Sequence, residues 1–428
     1  MSDNQQHVKW FRDSSPYINA HRGRTFVLYL GGAALEHENL PNIINDLVLL
    51  HSLGVRLVVV HGAAPQIDRQ LMASGKDCVF ERGVRITTPD ILPQVQEAIG
   101  RIRTDIESKL SMGVVNSPQH GADIVVTSGN FLKAKPYGVR AGIDFHNTGE
   151  VRKVNTGAIS QQLDAGAIVL ISPLGYSPSG EIFNINSVEV ASEVASSMMA
   201  DKLIYYIEDR GITDDSGTLI SELKVSAIDE SGLDRLSPLA QARRACLKDV
   251  NRCHLVSYTT DGALLEELFT RDGSGTQIAR TSYEKVRSAT PDDVAGIIEL
   301  IAPLEADGIL VKRSRELLES EISRFTVIER DGMIVSCAAL YPFEGKGELA
   351  CLATHPDYRD NDRGELLLQA IETIARGLSM NAIFVLTTHT AHWFTERGFK
   401  QADVDTLPHE RKSLYNWQRN SKLFEKLL

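Results

Sequence analysis

Residues 347–371 read GELACLATHPDYRDNDRGELLLQAI, and the arginines of this stretch, Arg359 and Arg363, fall where an apolar run gives way to a helical pattern. A strand ending at Thr354, a short loop and a helix opening near Gly364 set two guanidinium groups beside the unpaired N–H groups of a helix N-terminus. That is a seat for a pyrophosphate. Asp360 and Asp362 lie in the same loop and crowd an anion unless they face solvent or cap the helix. Arg313 and Arg315 in LVKRSRE (310–316), and Arg419 and Lys422 in YNWQRNSKLF (415–424), supply further cationic groups. Arginine forks match carboxylates, so two of them can hold a dicarboxylic acid. Glu348 is a carboxylate at the head of the strand, a candidate general base, and Thr387 is a hydroxyl ending the run AIFVLT. Cys351 is an alternative nucleophile, but its apolar neighbours fit a small buried hydrophobe better. His389 and His392 are spaced i, i+3 without a third ligand, so no metal is expected.

These side chains need a scaffold, and the apolar pattern describes one. FVLYL (26–30) stops at Gly31-Gly32, a helical period follows over 41–53, and VRLVVV (55–60) stops at His61-Gly62 before another helical stretch through Ile67, Leu71 and Met72. Strand, glycine turn, helix is the rhythm of a parallel α/β sheet. It continues in AIVLIS (167–172), a helix over 187–199, LIYYI (203–207) and HLVSY (254–258). The polar run TRDGSGTQIART (270–281) has few core-forming residues and closes this half. A new unit opens at Thr290, an N-cap followed by Pro291 and two aspartates. Helices are expected over about 291–305 and 314–323, then strands FTVIER (325–330), MIVSCAALY (333–341) and GELACLATH (347–355). Asp331-Gly332 is a hairpin turn between the first two. A helix over 364–378 and the strand AIFVLT (382–387) follow. The reading is α/β throughout: a helical arm over 1–20, a large domain over 21–280, a linker over 281–286 and a smaller mixed domain over 287–428.

Composition narrows the class. The 428 residues suffice for two or three domains, each with its own core. A net charge of −11 opposes binding to nucleic acid or anionic membranes, so neither is expected as a partner, and a small anionic substrate needs a local arginine cluster. The five cysteines are odd in number and lack CxxC spacing, which points to a reducing compartment. The polar N-terminus has no apolar signal core, and no apolar run approaches the ~18 residues of a membrane span. A cytoplasmic protein is expected.

The motifs YLGG (29–32), VVVHGAAPQID (58–68), RGVRIT (82–87), SGNF (128–131) and FNINSVEVA (183–191) occur in the order found in the amino-acid kinase family, and the first half resembles acetylglutamate kinase along its length. Its departures fall on the catalytic groups. The family's lysine two residues before the glycine pair is Tyr29, its HGGG turn is His61-Gly62-Ala63-Ala64, and the aspartate of its N-x-N-x-D motif is Val188. A neutral phenol and an isopropyl group cannot stabilise the charge of phosphoryl transfer. The run ELFTRDGSGTQI (267–278) and an aromatic N-terminal helix (Trp10, Phe11, Tyr17) resemble arginine-inhibited members. This resemblance implies an arginine site at Tyr17, Glu267 and Gly273 with nearby residues, in a half that senses rather than catalyses.

The second half resembles the GNAT acetyltransferases through the loop at 359–364 and the segment TTHTAHWFTERGFK (387–400). The family's R-x-x-G-x-G/A loop is here Arg359-Asp360-Asn361-Asp362-Arg363-Gly364, with Asp362 in place of the middle glycine, so a weaker hold on coenzyme A is expected. The resemblance implies acetyl-CoA as co-substrate, carbonyl-binding N–H groups at Cys351 and Leu352 with Ala353 beside them, Glu348 as base and Thr387 as donor to the departing sulfur.

Taken whole, the chain resembles the bacterial amino-acid acetyltransferases, or N-acetylglutamate synthases, including stretches outside the motifs such as LHSLGVRLVVVHGA and AHWFTERGF. The resemblance implies transfer of acetyl from acetyl-CoA to L-glutamate, the first step of arginine biosynthesis, with Arg313, Arg419 and Ser421 at the glutamate site. It also implies regulation by L-arginine and a homohexamer. Two other readings stay open: an arginine-binding regulatory protein whose phosphate loop is disabled by its aspartates, and a surviving N-acetylglutamate kinase, which Tyr29 and Val188 oppose.

Overall fold

The computed structural model describes residues 5, 8, 10–12, 14–112, 120–270, 272–280, 284–330, 333–359, 363–388, 390–415 and 421–428. The chain divides into two compact units, Met1–Thr281 and Ser282–Leu428.

In the first unit, a short helix α1 (Ser15–His21) precedes β1 (Thr25–Leu30), α2 (Leu40–Ser52), β2 (Arg56–His61), α3 (Ala64–Ala73), α4 (Leu92–Leu110) and β3 (Val126–Ser128). Next come β4 (Leu132–Pro136), β5 (Thr148–Val154), α5 (Thr156–Asp164), β6 (Ile168–Ile171), β7 (Leu174–Tyr176), β8 (Ile182–Ile185) and α6 (Ser187–Ser197). The unit ends with β9 (Lys202–Ile207), β10 (Glu222–Lys224), α7 (Pro238–Leu247), β11 (Arg252–Ser257), α8 (Ala263–Phe269) and β12 (Thr276–Ala279). Eight strands form one sheet in the order β10-β12-β11-β9-β1-β2-β6-β3, parallel except where β12 meets β11. Every residue of β1 is buried, because helices cover both faces: Phe26, Leu28 and Leu30 enter one core, Val27 and Tyr29 the other. That is why the run reads as continuously apolar rather than alternating. Strands β7, β8, β5 and β4 close a small barrel, which the sequence pattern did not reveal.

The second unit contains β13 (Glu284–Ser288), α9 (Val294–Ala306), α10 (Arg315–Glu321), β14 (Phe325–Arg330), β15 (Met333–Phe343), β16 (Lys346–Thr354), α11 (Arg363–Gly377), β17 (Ala382–Thr387), α12 (Ala391–Glu396), β18 (Lys400–Ala402), α13 (His409–Ser413) and β19 (Lys422–Leu427). Its sheet runs β13-β14-β15-β16-β17-β19-β18 and is antiparallel except for β16 and β17. Thr290 begins the first helical turn with a capping box: its side chain and that of Asp293 each serve the other's backbone.

Two sequence expectations need correction. Residues 284–286, expected in a linker, belong to β13, which pairs with β14 through Glu284↔Arg330. Residues 276–279, read as part of a polar run with few core-forming residues that closes the first half, form the fully buried strand β12. Its threonine is tolerated inside because the Thr276 hydroxyl donates to the Ile220 carbonyl and accepts the Ile212 N–H. The turn at Asp331-Gly332 lies outside the described residues, although β14 and β15 pair up to its edges, Arg330↔Met333.

Candidate active site

The second unit's chemistry starts from a fault in its sheet. Strand β16 pairs with β17 only at Lys346↔Ala382, Gly347↔Ile383 and Glu348↔Phe384. Beyond Glu348 both strands continue, to Thr354 and Thr387, without a shared ladder. A cleft therefore opens between two parallel strands at Glu348, lined by backbone groups that a continuous sheet would have paired. On its other side β16 carries an irregularity against β15, between Cys337 and Ala339, and Cys351 sits there at φ +53°. Such a bulge re-aims the backbone of the residues it contains, here Cys351 and Leu352. Ala353, just beyond, pairs with Cys337. The Cys351 side chain is buried in the core under α9, with Cys337 and Ala353.

Glu348 is buried, and Arg411 from α13 grips it with two parallel bonds, Nε to Oε2 at 2.5 Å and Nη2 to Oε1 at 2.9 Å. Thr387 ends β17; its Oγ1 accepts the Thr390 N–H at 3.2 Å and lies 3.0 Å from the Thr390 hydroxyl.

At the mouth of the cleft, α11 presents its N-terminus. Gly364 lies beneath the indole of Trp393, and a Cβ there would come within 3.0 Å of Trp393 Cζ2. The glycine thus lets α12 close on the start of α11. Arg359 is exposed. Arg363 is not: only 5% of its side chain is accessible, its Nε and Nη2 bind Glu284 at 2.8 and 2.5 Å, and its Nη1 donates to the Tyr358 carbonyl. The expectation of two free guanidinium groups thus reduces to one, because Arg363 ties the loop to β13. Its backbone N–H still belongs to the first helical turn. Asp360, Asn361 and Asp362 lie outside the described residues.

Among the expected carboxylate ligands, Arg313 is half-buried beside Tyr341 and Cys351, and its Nη1 donates to the Val311 carbonyl. Tyr341 stands opposite Glu348 on β15, which puts Arg313 in the cleft's neighbourhood. Ser421 is buried and its carbonyl accepts the Tyr415 hydroxyl at 2.7 Å. Arg315 is exposed and paired with Glu319 one helical turn on. Arg419 and His389 lie outside the described residues.

Residues 24–257 match the amino acid kinase family, and residues 321–401 match the acetyltransferase (GNAT) domain. An amino-acid acetyltransferase from Ectopseudomonas mendocina is 52% identical over 99% of this chain and 99% of its own length. One from Pseudomonas fluorescens is 52% identical over 99% and 100%. The chain belongs to the amino-acid acetyltransferase family. Among solved structures, the N-acetylglutamate synthase of Neisseria gonorrhoeae complexed with coenzyme A and L-arginine superposes with a TM-score of 0.89 at 40% identity, over 98% of this chain and 99% of that one. The same enzyme complexed with coenzyme A and N-acetyl-glutamate gives 0.63 over the same coverage.

For an acetyltransferase carrying an amino-acid-kinase unit, the fate of the kinase centre matters. Tyr29 is buried, its hydroxyl 3.2 Å from Ser187 Oγ, and its ring lies 5.5 Å from that of Tyr205. Burial holds the phenol above its usual pKa, so it is neutral. Asn186 spends its side-chain oxygen capping α6 through the Val188 and Glu189 N–H groups, and Val188 packs on the core. At these positions the structure places a tilted aromatic pair and a helix cap, with no lysine and no aspartate.

The same unit buries a polar chain that sequence reasoning saw only in part. Lys202 Nζ lies 3.2 Å from His254 Nε2, and His254 Nδ1 lies 2.6 Å from Glu267 Oε1. Glu267 Oε2 accepts the N–H groups of Ser274 and Gly275, each at 2.9 Å. Burial, reinforced by Lys202, pushes His254 down to about 4, so it is a neutral relay that accepts from the lysine and donates to the glutamate. Burial opposes the Glu267 charge, but the His254 bond and the two loop N–H groups hold its pKa below the usual range. Gly273, at φ +67°, leaves no room for a methyl group against Glu267. His21 of α1 binds the Leu268 carbonyl of α8 at 2.9 Å, and Tyr17, on the same α1, packs against the core that contains Leu264 and Leu268. Lys202, His254 and His21 were missed. Their signal was available: a lysine and a histidine heading two apolar strand runs.

Proposed function

We propose that this enzyme transfers the acetyl group of acetyl-CoA to the amino group of L-glutamate, giving N-acetyl-L-glutamate and CoA, and that L-arginine bound to the first unit regulates it. The observation that carries the reading is the parting of β16 from β17 at Glu348, in a chain related along its length to the N. gonorrhoeae N-acetylglutamate synthase that binds coenzyme A. The fit to coenzyme A rests on the α11 N-terminus, the exposed Arg359 and the close seat of Gly364 under Trp393.

In this mechanism Glu348 takes a proton from the acceptor's ammonium, directly or through water, and frees the lone pair to attack the thioester carbonyl carbon in a ternary complex. The N–H groups of Cys351 and Leu352 stabilise the oxyanion that forms. Thr387, already accepting from Thr390, directs its own proton to the departing sulfur. Arg313, Arg419 and Ser421 hold acceptor carboxylates. The proposed arginine site is built on Tyr17, Glu267 and Gly273, with Lys202 and the neutral His254 completing its polar floor. A homohexamer is part of the same proposal, and light scattering on the purified enzyme tests it.

The central test is free-thiol release from acetyl-CoA with L-glutamate, with and without arginine. Glutamate-dependent release that responds to arginine supports both halves. Arginine binding without release from any dicarboxylic amino acid replaces the enzyme reading with that of a regulatory protein.

A further inference from the structure

Glu348, the candidate base, is not free to act as one in this structure. The Arg411 fork engages both its oxygens, and both side chains are largely shielded from water, 10% and 19% accessible. The third guanidinium nitrogen, Nη1, is tied to the Leu414 carbonyl at 3.2 Å, so the fork is held in plane against the carboxylate. In that grip the guanidinium covers one edge of the carboxylate and offsets its charge, so Glu348 is a poor acceptor for an ammonium proton until the pair opens. Opening it onto nothing leaves two shielded charges unpaired, which is strongly unfavourable.

We propose that Arg411 is the clamp for the acceptor's α-carboxylate and that its transfer from Glu348 to that carboxylate is what releases the base. The assignment rests on the proposed glutamate reaction. The exchange conserves charge pairs. An α-amino acid arrives with an ammonium and a carboxylate on one carbon; its carboxylate takes the fork, and its ammonium takes the place of the guanidinium at Glu348. One ion pair and one zwitterion become two ion pairs, with the bidentate geometry preserved. An amine without the carboxylate offers no such trade, and neither does water. The clamp therefore selects α-amino acids. It also keeps Glu348 from activating water against acetyl-CoA, a reaction that would give acetate and free CoA thiol, while no acceptor is bound.

The test uses full-length enzyme carrying Arg411→Ala and, because a lone buried glutamate can cost folding, Arg411→Lys, which keeps the counter-charge but not the fork. The acceptors are L-glutamate and 4-aminobutyrate, which keeps the amine and the distal carboxylate but lacks the α-carboxylate. Both variants are expected to lose at least about tenfold in kcat/KM for glutamate, mostly through KM in the lysine variant, while any turnover of 4-aminobutyrate, no longer blocked by the clamp, does not fall and rises in the alanine variant. Thiol release from acetyl-CoA without acceptor is expected to rise severalfold. Unchanged acceptor-free release in the folded variants, or an equal loss on both acceptors, overturns the clamp and leaves Arg411 a structural partner. If wild-type enzyme does not acetylate glutamate, the proposed function fails by itself; the acceptor-free release then still decides whether Arg411 restrains Glu348.

Discussion

At Glu348 a single carboxylate sits where the sheet splits, and a single substitution isolates its role. Glu348→Gln keeps the shape and removes the base, so kcat should fall by ~10²-fold or more with little change in glutamate KM. Steady-state kinetics read this directly, and an unchanged rate removes Glu348 from the mechanism. Arg359→Ala should weaken coenzyme A binding by about tenfold in a calorimetric titration while circular dichroism stays constant, since the side chain is exposed and supports no core. In the first unit, Gly273→Ala forces a methyl group onto Glu267 and asks alanine to adopt φ +67°. The arginine response should be lost and the unit destabilised by about 2 kcal/mol; retention of arginine binding counts against the Glu267 site. Most of these positions were visible as residue types in the sequence. What was not visible was that Arg363 and Glu348 would both be engaged by partners distant in the chain, Glu284 and Arg411.

Among elements, strands built on a buried apolar run read clearly because that run stands out from the polar residues around it. FTVIER and AIFVLT were located to the residue, and β1, β2 and β9 within a residue or two. β12 and β13 were not, because polar residues stand in them: the Thr276 hydroxyl is satisfied by distant backbone, and Arg287 is faced with charge from Asp293 and Glu329. α2 carries a testable flaw. Asp46 is buried in it, and burial, with Asp261 nearby, pushes its carboxyl up to about 7. Its native pKa lies above the unfolded value, so the native state binds the extra proton. Stability should therefore fall as pH rises from about 4 to about 7, and the penalty is complete above that. Asp46→Asn should raise the melting temperature of the unit by a few degrees at pH 8, on the order of 1 kcal/mol, and change little at pH 4. No gain at pH 8 rejects the buried-acid account.

Across the whole molecule, a kinase fold without its kinase charges accompanies an acetyltransferase unit. ATP with N-acetylglutamate should yield no ADP, and Tyr29→Lys alone should not restore it, since Val188 still replaces the carboxylate that would organise the lysine. Arginine at 100 times its Kd should stabilise the first unit by ~2.7 kcal/mol, visible as an upward shift in its thermal transition. An absent shift leaves that unit without its proposed ligand. Among the described residues no helix is long and apolar enough to cross a membrane.

The sequence by itself determined the two-part α/β architecture, the residues Tyr29 and Val188 that stand in the kinase-like motifs, and the strand–loop–helix order of the acetyltransferase unit. Each of these is written in local apolar period or in residue identity, and local signals survive in one dimension. Only the tertiary structure decided where β16 leaves β17, that Lys202, His254 and Glu267 form one buried relay, and that Arg411 closes on Glu348 from 63 residues away. Such pairings depend on which distant segments share a face, and no spacing rule along the chain encodes them.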